Sequence, residues 1–309
     1  MLKRKALRKI LITTLTIVIF LMIYIIPSKT NSIETLEIVP EIEYKDTKIG
    51  YIYLLNDDDF LVKVNVLLNE EFDLDIKIKE IIEKLLSGNT NPKGLESVVP
   101  KGVKLIEMDE DDGYVSLNFS KEILNIDKKL SSKLVESISY SIFELEDVEK
   151  ISIYVEDKNI NEYFKDIPQI ITRDFGINKK YDIRSFKDIK KIVTYYISEI
   201  DEVNYMVPVT SYINDDEEKI KIIIENLSSN YIYEPNLISL LNSKTELINY
   251  EINDDIMLLN FNNSIFLEDG SILEEVVYTI SNSVFDTYDV NKIIFNVENK
   301  TIREIANNI

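Results

Sequence analysis

The chain is expected to be an α+β protein, two tandem copies of a β-β-α-β-β-α-β domain placed after an N-terminal transmembrane helix. Three observations carry that expectation. The chain aligns with itself at a fixed offset of 142 residues, without a gap from residue 49 to 158, and 17 of the 45 positions in 114–158 recur in 256–300. Within each copy, segments of alternating apolar residues are interrupted by two segments with helical apolar spacing. Finally, residues 10–26 carry no charge and follow a basic flank.

Lys3, Arg4, Lys5, Arg8 and Lys9 make residues 1–9 a basic flank, expected to stay in the cytoplasm and send the rest of the chain outward. The charge-free run 10–26, at 1.5 Å per residue, spans roughly 25 Å, the short end of a bilayer crossing. A cleaved signal peptide would have a shorter apolar run and a small-x-small site. Only Thr30-x-Ser32 approaches one, so an uncleaved anchor is the preferred reading. Residues 27–48 then form a spacer.

In copy one, residues 49–158, two strands at 49–55 and 60–68 flank the turn Asn56-Asp57-Asp58-Asp59. A helix near 75–87 follows from Ile78, Ile81, Ile82, Leu85 and Leu86, and Gly88 stops it. Strands at 103–108 and 114–119 pair across Glu110-Asp111-Asp112-Gly113. The second helix, near 131–145, presents Leu134, Ile138, Ile142 and Leu145, and a strand at 150–155 closes the copy. Copy two, residues 191–300, repeats this order, and Ser271-x-x-Glu274 reads as a capping box opening its second helix. Each copy holds a full set of elements and is expected to fold alone, with its two helices on one face of a mixed sheet. Residues 159–190 read as a linker and 301–309 as a tail.

Alternation assigns the faces. Val115, Leu117, Phe119, Ile151, Ile153 and Val155 should meet the helices. The opposite face carries Ser116, Asn118, Ser152 and Tyr154 in copy one, against Leu258, Asn260, Ile294 and Asn296 in copy two. The more apolar face of copy two is therefore the candidate protein-docking surface.

Composition narrows the chemistry. Net charge is −20, and residues 27–309 alone carry −25, a field that repels nucleic-acid backbones, so no nucleic-acid partner is expected. The sequence contains no His, which removes the usual general base and a common metal ligand. It contains no Cys, which excludes disulfides, thiolate chemistry and a lipid-modified cysteine. The Asp109–Gly113 cluster fails the spacing of a calcium loop and reads as a hairpin turn. Serine chemistry lacks a base, no glycine-rich phosphate loop occurs, and no feature selects a catalytic pair among 55 acidic residues. No catalytic, cofactor or metal residue is assigned.

The order Leu95-x-Ser97-x-x-Pro100-x-Gly102, then Gly113-Tyr114-Val115-x-Leu117-Asn118-Phe119-Ser120, then a helix and Asp147-Val148, resembles the GerMN-domain family of spore-forming bacteria. Copy two keeps Leu237-x-Ser239 and Leu259-Asn260-Phe261, with Asn242 for the Pro and Asn262 for the Ser. The resemblance implies a fold similar to ring-building motifs of secretion systems. It also implies a non-enzymatic assembly role at the septum between mother cell and forespore. The implied partners are other sporulation membrane proteins and the membrane itself, with homo-oligomers allowed, and no cofactor. Two other readings stay open, a cell-wall or ligand-binding sensor module and a carboxylate-only wall hydrolase. The sensor module would show itself as a concave pocket between the copies.

Overall fold

The computed structural model describes residues 47–69, 73–88, 91–183, 187–214, 218–229 and 236–307, with residues 3, 8, 9, 12–18 and 22 of the N-terminal stretch. Residues 45–309 form one compact unit, and residues 1–44 are a separate one. Residues 12–18 and 22 are helical. The anchor and spacer otherwise lie outside the described residues, among which no helix is long and apolar enough to cross a membrane.

Copy one runs β1 (Thr47–Asn56), β2 (Leu61–Asn69), α1 (Leu74–Ser87), β3 (Leu95–Glu96), β4 (Leu105–Asp111), β5 (Tyr114–Phe119), α2 (Ser131–Phe143) and β6 (Lys150–Val155). Between the copies lie β7 (Lys158–Asn159) and β8 (Lys180–Asp182). Copy two follows as β9 (Lys190–Ile200), β10 (Val203–Ile213), α3 (Lys219–Ser228), β11 (Leu247–Asn253), β12 (Ile256–Phe261), α4 (Glu274–Phe285), β13 (Lys292–Val297) and β14 (Lys300–Ala306). Gly88 closes α1 with φ 58°, a left-handed cap that glycine adopts without strain. All six core-facing residues named for β5 and β6 are at most 1% exposed.

The expected strands and helices form, with the further strands β3, β7, β8 and β14, but their assembly is not one mixed sheet per copy. Each copy's later strands form a four-stranded sheet, β4-β5-β6-β7 in copy one and β11-β12-β13-β14 in copy two, while the two N-terminal hairpins join in a third, shared sheet. Ile52, Tyr53 and Leu54 are buried in succession, as are Ile192, Val193, Thr194 and Tyr195. A strand with one face in solvent cannot do this, so these hairpins lie inside, between layers. The expected tail is a strand, with β14 pairing antiparallel to β13. The expected linker supplies core residues, since Ile160, Ile167, Ile171 and Ile177 sit in copy one's hydrophobic core.

Serines on α2 seal the free edge of β1. Tyr53 N–H donates to Ser141 Oγ at 2.9 Å, and Ser137 Oγ donates to the Tyr53 carbonyl at 2.6 Å. Copy two repeats the device, with Tyr195 N–H donating to Ser283 Oγ at 2.8 Å. This satisfies backbone groups that a bare sheet edge would leave open to another chain. The expected capping box does not form, because Ser271 Oγ donates to Asp269 at 2.6 Å and Glu274 instead holds Arg303 through both oxygens.

The repeat also carries a register shift. Tyr53 and Tyr195 are equivalent at offset 142, but Tyr53 faces Lys63 across its hairpin whereas Tyr195 faces Pro208. The second strand of copy two is therefore displaced by three residues, so the self-alignment is not gap-free in structure. The cause is the hairpin tip: beyond the pair Ile197–Met206, β9 and β10 run three pairs further and close around Asp201 and Glu202, both at positive φ, so eight residues stand where copy one spends residues 56–60. By the first helix the offset has returned to 142, as Ile78, Ile81, Ile82 and Leu85 match buried Ile220, Ile223, Ile224 and Leu227.

The hairpins meet around a pseudo-twofold axis. Met206 pairs with Lys63 directly, and the symmetry-related pair would be Leu61 with Pro208. Proline has no N–H to give that ladder. Asn178 fills the gap: its Oδ1 accepts from Leu61 N–H at 2.9 Å, and its Nδ2 donates to the Leu61 and Pro208 carbonyls at 2.8 Å each. Asn56 and Ser198, equivalent positions themselves, touch across the same axis at 3.4 Å.

Candidate functional site

The motif residues shared by the copies turn out to be structural. Asn118 of Leu117-Asn118-Phe119 donates to Asp157 Oδ1 at 2.7 Å and accepts from its N–H, holding the turn after β6. Asn260 does the same for Asn299 after β13. Ser120 and Asn262 each accept from the backbone N–H of the neighbouring edge segment, at Lys104 and Glu246. Ser97 and Ser239 each accept from the N–H two residues on. Asp112-Gly113 is a two-residue hairpin turn with both residues at positive φ. A side chain on Gly113 would meet the Asp147 carbonyl at 2.7 Å, so the glycine lets Asp147-Val148 approach. Among the described residues no group of acidic side chains could hold a metal ion.

The four residues of the candidate docking face separate into two kinds. Leu258 and Ile294 are cross-strand neighbours, half-buried and outside the core of copy two. Glu251 faces Leu258 and Glu304 faces Ile294 from the outer strands, so the apolar pair is framed by acids. Asn260 and Asn296 are buried, at 3% and 7% exposure, and so are not part of an open surface. The equivalent Ser152 of copy one is covered, its hydroxyl bonded to Tyr114 and to the Gln169 carbonyl.

The feature that alternation could not show is a cleft of about 490 Å³ between the copies. It sits where the C-termini of α2 and α4 converge on the shared sheet. Its walls come in equivalent pairs, Tyr53 with Tyr195, Phe143 with Phe285, and Glu144 with Asp286. Glu144 and Asp286 are the C-cap residues of α2 and α4. Tyr53 donates to Glu144 at 2.5 Å and Tyr195 to Asp286 at 2.7 Å. Burial, then the neighbouring carboxylate, raises both tyrosine pKa values well above the ordinary phenol range. Burial also raises the Asp286 carboxyl.

The equivalence is broken in charge. Lys63 Nζ lies 2.8 Å from Glu144, and Arg173 donates to the Phe143 carbonyl at the end of α2. Lys63 also sits 4.0 Å over the Tyr51 ring. Copy two has Pro208 where copy one has Lys63, and among the described residues Asp286 makes no ion pair. Lys191, at the rim, is held by Asp174 at 3.0 Å.

Comparison with known proteins places this architecture. The Germane family, described as sporulation and spore germination, matches twice, at residues 51–161 and 193–303. These ranges coincide with the internal repeat to within a few residues. The chain is 23% identical over 272 residues to the spore germination protein GerM of Bacillus subtilis (strain 168), covering 82% of this chain and 73% of that protein. Its fold is similar to the solved tandem GerMN domains of the sporulation protein GerM from Bacillus subtilis. That match has a TM-score of 0.73 at 22% identity, over 84% of this chain and 96% of the other. With two family matches that together span most of its length, the chain belongs to the Germane family of sporulation and spore germination proteins.

Proposed function

We propose that the chain is a non-catalytic assembly protein of sporulation, acting outside the cytoplasm at the septal membranes between mother cell and forespore, with residues 10–26 as its anchor. The observation that carries this reading is the joining of two family domains through one shared sheet into a single compact unit. Such a unit offers two outer sheets at a fixed separation, which suits a spacer between partners. Family membership and the tandem likeness support the sporulation role. The charge-free run and basic flank support the anchor. Within this reading, Leu258 and Ile294 are the contact to another protein of the septal complex.

Deleting the gene tests the role: heat-resistant spore counts should fall while vegetative growth is unchanged. Normal spore counts would remove the assembly role. External protease on protoplasts tests the anchor, since it should digest residues 47–309 and leave a short membrane-held N-terminal fragment.

A further inference from the structure

We propose that the cleft on the pseudo-twofold axis binds a small molecule through a primary alkylammonium group seated on Asp286. The inference goes beyond the assembly role, which does not depend on it, and it gives the ligand-binding alternative a chemistry.

The argument is one of unequal halves. Each copy points the C-terminus of its second helix at the cleft and adds a carboxylate there, Glu144 or Asp286. A helix C-terminus carries about half a negative charge, so each half of the site concentrates negative charge in a partly buried place. In copy one this charge is matched inside the protein. Lys63 pairs with Glu144, and Arg173 binds the last carbonyl of α2 while lying over the Phe143 ring, 5.3 Å from its centre. In copy two the three-residue shift of the hairpin puts Pro208 opposite Tyr195, where Lys63 stands opposite Tyr53. Asp286 keeps the tyrosine hydrogen bond and makes no ion pair among the described residues, Lys63 and Arg173 acting on it only from a longer distance. A half-buried carboxylate at a helix C-terminus with no ion pair leaves its charge only partly matched, and a ligand cation completes the match.

The surroundings select the kind of cation. The half-buried Phe285 lines the Asp286 side of the cleft, and an aromatic ring attracts ammonium groups. A volume of about 490 Å³ lies in the range of small-molecule sites and is far larger than an inorganic ion needs. Lys63 and Tyr53 show within this same chain what the arrangement holds: an alkylammonium bonded to the carboxylate with a phenol beside it.

The experiment uses the full-length chain in detergent, titrated with 1,5-diaminopentane at matched ionic strength and followed by calorimetry and thermal shift. Saturable binding is expected, absent for the bis-acetylated diamine and for potassium or calcium. Asp286→Asn should weaken it by about tenfold or more, the loss of a charge-assisted contact. Pro208→Lys provides a second, independent reading, because it places an internal lysine opposite Tyr195 and should abolish binding while the protein still melts cooperatively. The proposal is overturned by no saturable binding of the diamine, by equal binding of inorganic cations, or by unchanged binding in both variants. Spore counts of an Asp286→Asn strain keep this result separate from the assembly role, which stands or falls with the deletion.

Discussion

The two copies have the same elements but not the same independence. Copy two builds its hydrophobic core entirely from its own residues, between Ile192 and Val297. Copy one draws Val207, Val209 and Leu237 from copy two, and four isoleucines from the segment between the copies. Its helix α2 is buried nearly all round, including Glu136 at 1% exposure, whereas the equivalent of Glu136 on α4 is the exposed Tyr278. Glu136 accepts from Asn178 N–H at 2.9 Å and pairs with Lys179 at 3.2 Å, so the intervening segment is tied into copy one by charge as well as by apolar burial. Duplication thus left one copy as a self-contained core and made the other an integrator. From this contrast copy two is expected to fold alone and copy one is not.

The largest effect should come from cutting between them. A fragment ending at residue 158 loses Ile160, Ile167, Ile171 and Ile177, each worth about 1.5–3 kcal/mol when fully buried. That sum rivals the whole stability of a domain. Residues 45–158 should show no cooperative melting, residues 45–183 should regain much of it, and residues 190–307 should melt cooperatively by themselves. Circular dichroism of the three fragments checks this, and equal behaviour of the first two would erase the contrast.

Next in size is Asn178→Ala. It leaves the Leu61 N–H and the Leu61 and Pro208 carbonyls without their partner in a place that is 4% exposed. Unsatisfied buried groups cost about 1–3 kcal/mol each, so a loss of roughly 3 kcal/mol is expected in urea titration. Asn56→Ala, on the same axis, should lose less, because two of its three bonds are to the Asp58 and Phe60 N–H groups of a turn that water reaches and the third, to Ser198, is long at 3.4 Å.

A smaller effect is specific to pH. The Asp286 carboxyl is raised in the folded protein, chiefly by burial. Its unfolded value is about 3.9. A group with a raised folded pKa binds more protons when folded, so the stability it contributes is full below the unfolded value and is lost as pH rises through the folded one. Relative to Asp286→Asn, the wild type should therefore gain stability as pH is lowered from neutral toward about 4. Parallel pH profiles for the two proteins would show that the carboxylate does not feel its cleft.

The smallest effect tests the outer face of copy two. Leu258→Ser with Ile294→Ser should change stability by within about 0.5 kcal/mol if the face is open, as surface substitutions do. Recruitment of the protein to the septum, followed by a fluorescent fusion, should nevertheless fall. A large stability loss would mean that the pair is an internal contact.

Much of this was legible from residues alone. Helix α1 follows from its apolar spacing and Gly88, and the core face of β5 and β6 from strict alternation, because side chains alternate along a strand whatever lies beyond it. The hydrogen bonds of Ser141 and Ser283 to the edges of β1 and β9 were not legible, because each needs a partner strand from elsewhere in the chain. The same alternation marks the docking face of copy two, but alternation finds a face and not what folds over it. The turn after β13 holds Asn260, while Leu258 and Ile294 stay half-buried.

The sequence by itself determined the repeat, the elements and the family, since these rest on local periodicity and on residue order. Tertiary structure decided the shared sheet, the bridge at Asn178 and the cleft with its unequal carboxylates. Their contacts join residues far apart in the chain, 117 apart for Leu61 and Asn178 and 142 for Asn56 and Ser198. A three-residue change in one hairpin turn moved Pro208 to where copy one holds a lysine. No local pattern records which residue will face which across a turn, because strand register is settled by what the packed faces can bury.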